Sequence, residues 1–424
     1  MKKLLVFTLF TLQIALYSQT YFDTWFEGKT LRMDYARAGN DKSVSIYFNE
    51  FIEERFWGGS RVNLIDTFKY GRYIVELYDK ESSKLLYSRT YSTLFHEWQT
   101  TNEAKITSRS FGESVVMPFP RKISVIKLFE RDNNHQPILQ FEKEVNPNDY
   151  FIRKQQNVVF RNSKLLFNGD PATKVDVVLI PEGYREADTA KLRQDAEEFR
   201  EHLLGSSPYK ENRDKFNIWL INAYSKNSGT DIPADTVWRN TVANTSFYTF
   251  DVERYLMTSD YQAVRDLAAN APCDQIYILA NTDKYGGGAI YNFYSIATTN
   301  KEHQEYLITH EFGHGFAFLA DEYYDSETAY NDFYSKDIEP LEPNITTLKD
   351  FSKKWNHLVD NSTPIPTPAI EKYNETVGAF EGGGYVAKGV FRPKQDCSMK
   401  TISVDNFCPV CKSAIELMID FYTK

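Results

Sequence analysis

Two histidines four residues apart, with a glutamate between them, form the most reactive spacing in the chain: His310-Glu311-Phe312-Gly313-His314. On a helix, positions four apart share a face. Two imidazoles held in that way can bind one Zn²⁺ at about 2.0–2.1 Å. Glu311 lies one residue further on, about 100° round the helix axis. It should miss the ion and can instead take a proton from water that the ion activates. Two histidines leave zinc one protein ligand short, because catalytic sites keep three ligands and an open position. Asp321, seven residues after His314, is the nearest suitable donor. Glu322 and a more distant Glu are its rivals. Gly315 could end the helix and turn the chain back toward the ion. His303 and His357 read as surface residues, and His96-Glu97 lacks a second histidine.

The elements that must hold this segment are legible around it. Lys174 to Ile180 is a near-continuous apolar run, as in a strand buried on both faces. Asp188 can cap a helix to about Leu204, with Gly205 stopping it. Phe216 to Ile221 is a second strand, giving a βαβ unit with a right-handed crossover. Asp251 opens another predicted helix, to about Ala269. Gln275 to Ala280 is a third strand, and Ala289 to Thr299 adds one or two more. Thr299-x-x-Glu302 is a candidate capping box for the histidine helix. Leu307, Ile308 and Phe312 can face the sheet, and Gly313 lets the helix lie close to a neighbour. Residues 325–370 read mainly as loop. Asp325, Glu327 and Asp332 there lack EF-hand spacing. The last helix spans about Cys411 to Tyr422.

Residues 19 to about 150 read differently. Ser43–Phe48, Gly71–Tyr78 and Lys122–Phe129 alternate and are rich in β-branched and aromatic residues. Short alternating strands between turn clusters predict a β-sandwich. Asn146-Pro147-Asn148-Asp149 marks its end. The reading is therefore α+β and multidomain: a β-sandwich accessory domain over 19–150 and an α/β domain over 151–424. The chain has 49 Lys+Arg and 58 Asp+Glu, a net charge of −9, which argues against a nucleic-acid partner. Its 15% aromatic content excludes a disordered chain. Lys2, Lys3 and the apolar run Leu4 to Tyr17 read as a signal peptide over residues 1–18. Export would allow a disulfide from Cys397 to Cys408 or Cys411, with Cys273 paired to the remaining one or free. Cys408-x-x-Cys411 lacks the second cysteine pair of a zinc ribbon.

The stretch from His310 to His314 and on through Leu319-Ala320-Asp321-Glu322-Tyr323-Tyr324 resembles the secreted bacterial IgA-peptidase-type zinc metallopeptidases of the metzincin clan. The resemblance extends to Gly389-Val390-Phe391-Arg392-Pro393, Cys397-Ser398-Met399 and Phe407-Cys408-Pro409-Val410-Cys411, and so covers about residues 165–424. The β-rich N-terminal region fits that family's accessory domain. The resemblance implies a metzincin-like zinc peptidase domain with His310, His314 and Asp321 as ligands and Glu311 as general base. Met399 would be the Met-turn residue, an apolar floor beneath the ligands. Ala317 and Ala320 depart from the general pattern H-E-x-x-H-x-x-G-x-x-H, and Asp321 falls one residue late. Gly288 to Asn292 would be the edge strand that receives an extended peptide. Tyr323, Tyr324, Tyr385 and Arg392 are candidate donors to a developing oxyanion. The expected activity is that of an exported zinc-dependent endopeptidase acting on proteins or peptides, IgA-peptidase-like in type; it would be secreted, periplasmic or on the cell surface. The alternative is an inactive peptidase-like protein that binds host or envelope polymers.

Overall fold

The computed structural model describes residues 21–155, 160–299, 301–324, 334–402 and 406–424. The expected signal peptide and the acids Asp325, Glu327 and Asp332 lie outside the described residues. Among those described, no helix is long and apolar enough to cross a membrane.

The N-terminal region is β-rich. One four-stranded sheet runs in the order Arg109–Pro120, Phe26–Gly39, Val44–Glu54, Arg153–Lys154. A second runs Leu85–Tyr91, Tyr73–Asp79, Ser124–Arg131, Pro137–Val145. Alternate side chains from both, including Leu31, Met33, Val115, Val75, Leu77, Ile126 and Leu128, share one buried core, as period-two alternation requires.

A six-stranded sheet follows, in the order Gly287–Ile290, Tyr294–Thr298, Gln275–Ala280, Val175–Glu182, Phe216–Ile221, Asn162–Leu166. Its four central strands are parallel and both edges antiparallel. Central strands are mainly apolar because both faces are covered, and their few polar residues, such as Asp176, Glu182, Asn217 and Gln275, are buried. Val175, Val177 and Leu179 face the helices Thr189–Gly205, Gln304–Ala317 and Pro409–Thr423. Val178 and Ile180 face the opposite way, toward the helix Tyr261–Ala268. That second core also takes in Leu94, Phe95, Trp98 and Phe111 from the N-terminal region. Ion pairs reinforce the junction: buried Arg265 is 2.9 Å from buried Glu54, and buried Arg32 is 2.6 Å from the exposed Asp266.

Several local expectations fail for tertiary reasons. The helix expected from Asp251 begins only at Tyr261, after Asp260, whose carboxylate accepts from the Ala263 N–H. The stretch before it is a turn followed by isolated bridges, because it pairs with the sheet edge. Gly287 N–H donates to the Arg254 carbonyl, and Leu256 N–H donates to Gly287. The histidine helix starts at Gln304, so Thr299 and Glu302 form no capping box. It also runs past Gly315 to Ala317. The four cysteines are free thiols, so the expected disulfide is absent.

Candidate active site

Two glycines let the helix Gln304–Ala317 pack closely, Gly315 against the sheet and Gly313 against the segment carrying Met399. A Cβ at Gly315 would lie 2.2 Å from Ser295 Oγ. A Cβ at Gly313 would press on Met399 Sδ at 3.3 Å. Gly315 therefore serves approach, not termination. Termination falls to Phe318, which takes the left-handed conformation at φ 56°. That conformation costs a side-chain-bearing residue roughly 1–2 kcal/mol. Packing offsets it, with the Phe318 ring stacked on Tyr70 and 4.8 Å from Tyr291. The Leu319 N–H then donates to Gly313 O, and the chain reverses. Asn344 clamps the returning strand, accepting from the Ala320 N–H at 2.7 Å and donating to its carbonyl at 2.9 Å. Glu322 N–H donates to Met399 O at 2.7 Å. Asp321 is thereby delivered to the histidines.

Three donor atoms converge there. His310 Nε2 and His314 Nε2 are 3.1 Å apart, and Asp321 Oδ1 lies 3.2 and 3.3 Å from them. His310 Nδ1 faces the Ser398 carbonyl at 3.0 Å, with the Tyr306 hydroxyl at 3.1 Å. His314 Nδ1 faces the Leu319 carbonyl at 2.5 Å. Each carbonyl accepts from an Nδ1–H, so each Nε2 is left with a lone pair. Asp321 Oδ1 is buried and has no hydrogen-bond partner among the described residues. Its Oδ2 accepts from the Tyr385 hydroxyl. Two lone pairs and a carboxylate oxygen repel one another unless a positive charge sits between them. Donors bonded at about 2.0–2.1 Å to a tetrahedral ion lie about 3.3–3.4 Å apart. The set could therefore hold a divalent metal ion.

A proton competes for the same place. Burial alone lowers the His314 pKa, but the Asp321 carboxylate overrides it and pushes it up to about 9. Burial opposes ionisation of Asp321 too, yet His314 and His310 hold it well below the usual carboxylate range. Burial raises Glu311. The Glu311 carboxylate rests against Gly287, where a Cβ would come within 2.9 Å of its Oε1.

These groups line a cleft of about 730 Å³. One wall is the edge strand Gly287–Ile290 with Arg254, Tyr255 and Tyr285. Residues of the N-terminal region also line the cleft, among them Arg72, His96, Glu97, Arg131 and His135. Glu97 accepts a hydrogen bond from the Tyr255 hydroxyl, which joins the two linings. Of the candidate oxyanion donors, Tyr385 and Tyr323 line the cleft. Arg392 instead binds the carbonyls of Glu381 and Gly382, and Tyr324 packs on Gly382. His303 precedes the helix beside the Tyr285 ring, and His357 is exposed. Sequence reasoning missed Tyr306, Asn344, Arg254 and the cleft role of His96 and Glu97. Only Tyr306 carried a local sign, standing four residues before His310 on one helical face.

A family model described as IgA Peptidase M64 matches residues 164–375 and 369–419. The chain belongs to the IgA peptidase M64 family. It is therefore a peptidase, whose substrates are polypeptides. A second model, described as Peptidase M64 N-terminus, matches residues 21–142. A search of the curated proteins found no match. In this M64 peptidase the first match contains His310, Glu311, His314, Asp321 and Met399. The N-terminus match contains the lining residues from Arg72 to His135. The cleft is thus assembled from both matched regions.

Proposed function

We propose that this M64 peptidase is an exported zinc-dependent endopeptidase with a metzincin-like catalytic domain over 151–424 and a β-sandwich accessory domain over 19–150. His310, His314 and Asp321 would hold the ion, Glu311 would be the general base, and Met399 the floor beneath them. The observation that carries the reading is the convergence of three potential ligand atoms at tetrahedral spacing beside a buried carboxylate. The left-handed turn at Phe318 supports the metzincin comparison. It falls one residue after the pattern's glycine position, Ala317, and Asp321 falls one residue after its third-histidine position.

Zinc, when bound, supplies a Lewis acid that polarises a carbonyl and lowers the pKa of water. The chain supplies the rest. Glu311 accepts a proton at its carboxylate and passes it to the leaving amine; its upward pKa shift suits both steps. Tyr385 fixes Asp321 through Oδ2 and leaves Oδ1 free for the ion. Arg254 interacts electrostatically with both Asp321 and Glu311 and lines the cleft. The edge strand offers less than an open strand would, because Gly287 already spends its outward N–H and C=O on Arg254 and Leu256. Backbone alternation makes Ala289 the next outward residue and the pairing point for a substrate strand.

Cleavage of an unfolded protein such as casein should stop with 1,10-phenanthroline and return with added zinc. A zinc-loaded chain that leaves casein intact would favour the inactive binding protein instead. Gly287→Val should slow hydrolysis by about 10²-fold, the scale of a 1 Å misplacement, with zinc retained. The added side chain would meet Glu311 Oε1 and the Ile296 carbonyl, each 2.9 Å from the Cβ position. Unchanged kcat would show that Glu311 does not need its present position.

A further inference from the structure

We propose that Cys397, Cys408, Cys411 and Glu322 form a second metal site, for a thiophilic divalent ion of the zinc class, that joins the strand after Asp321 to the turn at Met399 and the C-terminal helix. All four residues are buried, and their ligand atoms lie within 4.8 Å of one another.

The spacing fits coordination and not a disulfide. Cys397 Sγ and Cys411 Sγ are 3.8 Å apart, against about 2.03–2.05 Å for a sulfur–sulfur bond. Two thiolates bound at about 2.3 Å to one tetrahedral ion stand about 3.8 Å apart. Glu322 brings the fourth donor from another part of the chain. Its Oε1 lies 3.2 Å from Cys411 Sγ and accepts from Asn344 Nδ2 at 3.0 Å. Its Oε2 is buried with no hydrogen-bond partner among the described residues. A carboxylate enclosed in this way is costly unless a cation meets it.

The backbone around the sulfurs favours thiolates. The Cys408 N–H donates to Cys397 Sγ at 3.2 Å, and the Cys411 N–H donates to Cys408 Sγ at 3.5 Å. Cys408 is the N-cap of the helix Pro409–Thr423, so the positive end of that helix points into the cluster. Arg392, buried and in electrostatic contact with Glu322, adds positive charge nearby. Four protein donors close the coordination sphere, which is the form of a structural site. Soft thiolate donors select zinc-class ions over calcium or magnesium. Binding displaces thiol protons to solvent and involves no redox step. The sequence reading missed the site because Cys408-x-x-Cys411 has no second cysteine pair; Cys397 and Glu322 take its place.

The site would hold the supports of the first cluster. Glu322 follows Asp321 and donates its N–H to Met399 O, and Cys397 precedes Ser398, whose carbonyl receives His310 Nδ1. The test uses the full chain, purified without chelator or reductant and then loaded with cobalt(II). A thiolate-to-cobalt charge-transfer band in the near ultraviolet is expected, which His310, His314 and Asp321 cannot produce. With zinc, two ions per chain are expected. Cys408→Ser should lose one ion and the band. His310→Ala should lose one ion and keep the band, which separates this site from the first. Absence of the band in the unsubstituted protein overturns the proposal, as does a disulfide among these three cysteines found by mass spectrometry. Should Cys408→Ser fail to fold, the unsubstituted protein and His310→Ala still decide.

Discussion

Glu311→Gln should cost this peptidase about 10²–10⁴-fold in kcat, the usual contribution of a positioned general base, while both metal sites stay filled. Glutamine keeps the shape that fits against Gly287, so the helix and edge strand need not move. What it loses is a carboxylate able to accept a proton. The proposed ligand atoms belong to His310, His314 and Asp321, whose three mutual distances involve no atom of Glu311. Zinc content should therefore be unchanged. The sign of the stability effect also follows. Burial raises the Glu311 pKa, so above the ordinary carboxylate range the charged form weighs against the folded state. The amide removes that cost, and Tm measured at neutral pH should hold or rise. Casein hydrolysis, zinc content and thermal unfolding of the same preparation check all three. Full activity would remove Glu311 from the mechanism.

The sequence revealed the parts of this fold that depend on periodicity and little that depends on distant contacts. Gln275–Ala280 and Phe216–Ile221 are found where expected, because a parallel strand covered on both faces is apolar at most positions. The helix expected from Asp251 fails because Arg254 and Leu256 hydrogen-bond to Gly287, a contact no local pattern encodes. Gly315 looked like a helix stop and is instead the point where Ser295 comes nearest. The same holds in the cleft. His310, Glu311 and His314 declare themselves by spacing within one turn. Asn344 and Tyr385, which fix the Asp321 strand and the carboxylate itself, come from distant segments, and Asn344 lies in a stretch that reads as loop. The N-terminal part of the lining was invisible for the same reason, since His96 and Glu97 meet the cleft only once the N-terminal region is docked.

Asp321→Ala tests the third ligand, and the expected loss of zinc affinity at the first site exceeds 10²-fold. Removing a group that only orients a ligand costs about 10–100-fold, and a ligand contributes more than its support. Tyr385→Phe supplies the graded control: it removes the donor to Oδ2 but leaves Oδ1, so its loss should fall within that 10–100-fold range. The adjacent rival, Glu322, is not positioned to compensate. Its carboxylate faces Cys411 and Asn344, on the far side of the strand's alternation from Asp321. Asp321→Ala should also lower the His314 pKa from about 9, because the carboxylate that raises it most is gone and only Glu311 and the Leu319 carbonyl still oppose burial. Titration against chelators of graded strength measures the first site, while the cobalt–thiolate band monitors the cysteine cluster independently. Unchanged affinity in Asp321→Ala would mean that a more distant glutamate completes the coordination; a loss in Asp321→Ala with a smaller one in Tyr385→Phe would assign Oδ1 as the ligand atom and Oδ2 as the anchor.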